Sequence, residues 1–130
     1  MTRKPRGFCI IINIYYFEDR SAREDTKLDV ERMEELFEAL YFSVHSHSNL
    51  TADEIKKVLT KVAVEKQHRN AECLVVVLSS HGHKHVLYGT DGYYVDLQQI
   101  YDLFDNNNCP ALQGKPKLFF IQACRGGTYI

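Results

Sequence analysis

Apolar residues come along this chain in two kinds of run. Phe8-Cys9-Ile10-Ile11-Ile12-Asn13-Ile14, Cys73-Leu74-Val75-Val76-Val77-Leu78 and Leu118-Phe119-Phe120-Ile121 are short, nearly unbroken and bounded by turn residues such as Pro5, Gly7, Gly114, Pro116, Gly126 and Gly127. Runs of that length without polar alternation predict strands buried on both faces of a parallel sheet. Between them apolar side chains recur at helical spacing: Val30, Met33, Phe37 and Leu40, then Ile55, Val58, Leu59 and Val62, then Leu97, Ile100, Tyr101 and Phe104. Each set predicts a helix with one face on the sheet. Thr51-Ala52-Asp53-Glu54 has the spacing of a capping box at the start of the second helix, which is read to about Gln67. Asp96 caps the third helix and Asn106-Asn107-Asn108 stops it. Phe42 to His47 alternates and predicts an edge strand, and Val86 to Val95, turned at Asp91-Gly92, predicts a hairpin standing off the sheet edge.

In order, these elements make an α/β protein: a three-layer, mostly parallel sheet with helices on both faces and spatial strand order 2-1-3-4. No repeat or linker interrupts the chain, and residues 1–130 read as one domain. That order sets the carboxyl ends of strands 1, 3 and 4 side by side, where open α/β sheets carry their chemistry. Those ends deliver Arg23 from the polar loop after strand 1, His81 from Ser79-Ser80-His81-Gly82, and Cys124, where the last strand is expected to give way to a loop.

Each of these residues has an ordinary explanation taken singly. A cysteine is most often a small buried hydrophobe. A histidine at a strand end is often held by a nearby carbonyl, and Arg23 could pair with Glu24 or Asp25. Together they allow acyl transfer. A thiol is a strong nucleophile as thiolate, and a neighbouring imidazole is the usual way to obtain one. Adjacent strands lie about 5 Å apart, so His81 and Cys124 could converge on one carbonyl. The N–H groups of Gly82 and Cys124 could form an oxyanion hole. A guanidinium grips a carboxylate bidentately, which suits Arg23, and Gln122 can add a neutral donor to the same acid. Asp91, Asp96 and Asp105 belong to the hairpin and third helix, so no acidic third member of a triad is expected. His45 and His47 share a strand face, but without a third ligand close in sequence they read as solvated edge histidines.

Composition narrows the partners. A net charge of −1 and scattered lysines leave no basic field for nucleic acid. No apolar run approaches membrane-spanning length. The four cysteines lack C-x-x-C spacing and no apolar amino-terminal segment precedes them, which points to free thiols in a reducing, cytoplasmic compartment. Met1-Thr2-Arg3-Lys4 reads as a tail.

Gln122-Ala123-Cys124-Arg125-Gly126 matches the signature of the caspase family, with its histidine upstream. Ser80-His81-Gly82 resembles that family's histidine motif, and Arg23-Glu24-Asp25-Thr26 resembles its arginine pocket element with Asp25 in the usual glycine place. The similarity runs from Lys4-Pro5-Arg6-Gly7 through Tyr88-Gly89-Thr90-Asp91-Gly92 to Gly114-Lys115-Pro116-Lys117-Leu118-Phe119-Phe120, nearly the whole chain. It implies a large catalytic subunit of a cysteine endopeptidase cutting after aspartate, in apoptotic or inflammatory signalling. Cys124 would be the nucleophile, His81 the acid and base, Gly82 and Cys124 the oxyanion hole, and Arg23 and Gln122 the holders of the substrate acid. The Ser21 carbonyl would orient the imidazole. No metal or organic cofactor is implied. The partners would be a small subunit, a second large and small pair, inhibitor proteins, and protein or peptide substrates containing aspartate. No interdomain cleavage site stands in Gly127-Thr128-Tyr129-Ile130, so a shortened end is expected. The alternative is a catalytically silent subunit that regulates its relatives by assembly.

Overall fold

The computed structural model describes residues 6–14, 24–83, 85–105, 107–125 and 128–129. Its parallel sheet contains β2 (Ser43–Ser48), β1 (Phe8–Asn13), β3 (Leu74–His83) and β6 (Lys117–Arg125), side by side in that spatial order. This is the 2-1-3-4 order expected from the sequence, β6 being the fourth long strand. Ile10 to Ile12 and Leu74 to Leu78 are buried, as unbroken aliphatic runs in central parallel strands should be.

Helices cover both faces. α1 (Glu24–Ala39) packs Phe37 onto Cys9, Ile11, Cys73, Val75 and Val77. α2 (Ala52–Ala63) and α3 (Leu97–Leu103) bury Ile55, Leu59 and Ile100 against Ile10, Ile12, Leu74, Val76 and Leu78 on the other face. The capping box of α2 is complete: Thr51 accepts from the Glu54 N–H, and Glu54 accepts from the Thr51 N–H at 3.0 Å. Asp96 caps α3 by accepting from the Gln98 N–H at 2.8 Å.

The hairpin of β4 (Val86–Tyr88) and β5 (Tyr94–Asp96) turns at Asp91-Gly92 as expected. It is not free of the sheet, however, because β4 pairs antiparallel with the far end of β3 through Gly82 and His83. Gly89 lies so close to α2 that a side chain there would collide with the Ala52 nitrogen. Asp91 then accepts from the Ala52 N–H (3.4 Å) and the Tyr93 N–H (3.2 Å), fixing the turn to the helix start.

Several expectations fail, each for a physical reason. α1 already begins at Glu24, so Glu24 and Asp25 belong to the helix. α2 stops at Ala63, and a 3-10 turn over Lys66–Asn70 takes up the rest of the segment read as helix. Leu40 and Tyr101 are exposed at the margins of their helices, although Tyr101 still meets Phe119 edge-on. β3 and β6 do not give way to loops at His81 and Cys124. The antiparallel partners β4 and β7 (Thr128–Tyr129) supply backbone hydrogen bonds that carry strand geometry onward to His83 and Arg125. Finally, β6 is not buried on both faces. Beyond β3, among the described residues, its other edge meets only β7 at the tip, and Leu118 and Phe120 stay 46% exposed.

Candidate active site

The sheet brings together backbones that the chain keeps apart. Parallel pairing of β3 with β6 runs from Leu74 opposite Lys117 to His81 opposite Cys124. Gly82 follows His81 and is the register partner of Leu87 in the hairpin, while Cys124 has Tyr129 of β7 on its other side. His81 and Cys124 therefore sit within paired strands, which fixes their backbones more firmly than loops would. One residue before the histidine, the buried Ser80 hydroxyl donates to the Tyr88 carbonyl at 2.6 Å. That bond anchors the hairpin to β3 next to the site.

The other thiols are chemically quiet. Cys9, Cys73 and Cys109 are buried and form no disulfide. Burial pushes the Cys9 thiol up to about 12, with the Glu34 carboxylate adding to the effect. Burial also raises Cys73, with Glu72 adding to it, and raises Cys109 against the smaller lowering effect of a hydrogen bond to the Leu112 backbone. All three are protonated near neutrality and shielded from reagents, so none is a nucleophile.

Gln122 is exposed and is the register partner of Ser79. The two line one groove of about 580 Å³ between α1 and the sheet, together with Arg32, Met33 and Phe120. Arg23 and the Ser21 carbonyl lie outside the described residues. His45 is exposed and His47 half-buried on the edge strand; they border a separate groove of about 430 Å³ with Lys61 and Glu65. Among the described residues no cluster of histidine, cysteine and acidic side chains could hold a metal ion. Sequence reasoning missed the Ser80 anchor and the burial of Asn13 and Ser79. The signal was present: Asn13 interrupts the apolar run of β1, and Ser79 follows that of β3.

A mostly parallel sheet with helices on both faces, whose adjacent strands pair His81 with Cys124 in register, defines the class. Residues 6–129 match the family model described as the caspase domain. The chain is 38% identical to Caspase-8 of Mus musculus over 99% of its own length, and 37% identical to Caspase-10 of Homo sapiens over 97%. It is 39% identical to Cell death protein 3 of Caenorhabditis remanei over 94%. The chain belongs to the caspase family. It spans 29%, 24% and 24% of the lengths of those three relatives.

Proposed function

We propose that residues 1–130 are the large-subunit domain of a cysteine endopeptidase that cuts protein substrates after aspartate, in apoptotic or inflammatory signalling in the cytoplasm. The observation that carries this reading is the register pairing of His81 with Cys124, joined to the burial of the other thiols.

In this reading the Cys124 thiolate attacks the scissile carbonyl while His81 holds the thiol proton. The tetrahedral oxyanion is met by the N–H groups of Gly82 and Cys124. His81 then gives its proton to the leaving amine, leaving an acyl-enzyme. Water, deprotonated by the same imidazole, hydrolyses the thioester and regenerates the thiol. The Ser21 carbonyl orients the imidazole, and Arg23 and Gln122 hold the aspartate side chain by charge and hydrogen bonds.

A small subunit completes the unit. The open flank of β6, with Leu118 and Phe120 half-exposed, is the surface such a partner would extend and cover. The assembled form would be a pair of large and small heterodimers, open to inhibitor proteins at the same groove. The test is hydrolysis of fluorogenic peptides ending in Asp, Glu or Lys by the assembled protein, beside its Cys124→Ala variant. Cleavage after Asp that vanishes in the variant supports the reading. A folded, assembled protein that cleaves none of them acts instead as a silent regulatory subunit.

A further inference from the structure

On the α1 face of the sheet, three neutral polar residues stand at one register level across three strands. Asn13 of β1 pairs with Ser79 of β3, and Ser79 pairs with Gln122 of β6. They continue the face that Ile11, Val77 and Phe120 occupy two residues earlier, as strand alternation requires. Two residues further along β3 and β6 come His81 and Cys124.

The row is graded in exposure. Gln122 is exposed, Ser79 is 5% exposed and Asn13 is 1% exposed. At its buried end the Asn13 side-chain oxygen has no hydrogen-bond partner among the described residues. A buried carboxamide oxygen left without a donor is costly, so an acceptor kept in that state invites a function. The neighbouring group able to serve it is the Ser79 hydroxyl, which can donate one hydrogen bond while accepting another.

We propose that Ser79 and Asn13 are positioning residues for Gln122. When an acidic substrate side chain fills the pocket, one Gln122 N–H donates to the substrate carboxylate and the other donates to Ser79 Oγ. The Ser79 hydroxyl in turn donates to Asn13 Oδ1. The relay has a fixed polarity, because a carboxylate only accepts and the buried oxygen at the far end also only accepts. It turns an exposed amide into an oriented donor without adding charge to the pocket. This rests on the reading of Gln122 as a holder of the substrate acid.

The test is steady-state kinetics of the assembled protein on aspartyl peptides, with thermal midpoints measured alongside. Ser79→Ala is expected to raise KM roughly three- to tenfold with kcat nearly unchanged, the effect of one lost hydrogen bond. Ser79→Thr, which keeps the hydroxyl, should restore most of the affinity. Asn13→Leu should give a similar KM, and the double variant should be no worse than either single one, since both cut the same chain. Unchanged KM in folded Ser79→Ala overturns the relay, as does full additivity in the double variant. A thermal shift without a KM change marks the row as merely structural and also overturns it. Failure of the parent protein to cleave aspartyl peptides removes the underlying reading, which separates that outcome from failure of the relay.

Discussion

The Ser80 hydroxyl donates to the Tyr88 carbonyl across 2.6 Å, from the residue just before His81 to the last residue of β4. Ser80 is 1% exposed, and the part-buried bond ties the hairpin to the histidine-bearing segment. Ser80→Ala leaves the Tyr88 carbonyl without this donor at a cost of about 1 kcal/mol. The assembled enzyme should lose more activity than this loss of stability explains, because the His81 backbone loses its brace. Parallel thermal melts and kinetics on aspartyl peptides check this. Equal activity per folded molecule would count against the brace.

Thiol labelling offers a second check. In folded protein at neutral pH, iodoacetamide should modify Cys124 and spare Cys9, Cys73 and Cys109, which burial keeps protonated and covered. Peptide mapping by mass spectrometry reads the sites. All four cysteines should react once the chain is unfolded.

His68 gives a prediction in pH. It is fully buried, its Nε2 lies 2.6 Å from the Val62 carbonyl oxygen, and its Nδ1 has no partner among the described residues. Burial lowers its pKa below 6.5, outweighing the hydrogen bond to Val62 and the nearby Glu65, while Lys115 adds to the lowering. Phe8 meets the ring edge-on from β1. Because the folded value is the lower one, the unfolded chain takes up the proton first. Stability from this site is therefore full above 6.5 and falls as pH drops through and below that value. Melting curves from pH 7.5 to 5 should show this loss, and His68→Gln should flatten it.

Thr51→Ala removes the acceptor for the Glu54 N–H at the start of α2. The expected cost is about 1 kcal/mol, seen as a fall of a few degrees in the thermal midpoint. Asp91→Ala should add to it, since Asp91 reaches the Ala52 N–H from the hairpin. Denaturant titration of both single variants and the pair measures the two contributions.

Arg23→Glu puts a carboxylate where the proposed pocket needs a cation. Aspartyl peptides should be rejected while assembly with the small subunit is retained, as size-exclusion chromatography and kinetics would show.

The strand order was legible because unbroken aliphatic runs such as Ile10 to Ile12 and Val75 to Val77 suit central parallel strands. The capping box at Thr51 was legible because capping depends on residues three apart. What escaped depends on pairing between distant segments. Nothing near His81 in sequence says that β4 will extend β3 past it, and nothing near Cys124 says that β7 will do the same for β6. The exposure of Phe120 was hidden likewise, because aliphatic and aromatic runs look alike whether the cover comes from this chain or from another. Arg23 lies outside the described residues, so its place in the pocket rests on the motif.

The pairing of β3 with β6 spans eight successive residue pairs, of which His81 and Cys124 are the last. Sliding one strand by a single residue would set Ala123 or Arg125 against the histidine and would turn every side chain of β6 to the opposite layer. A misaligned molecule would thus be poorly packed, and His81 would no longer stand opposite Cys124. The same zipper that builds the core also sets that pair in register, so a copy that packs its sheet well aligns the proposed site in the same step.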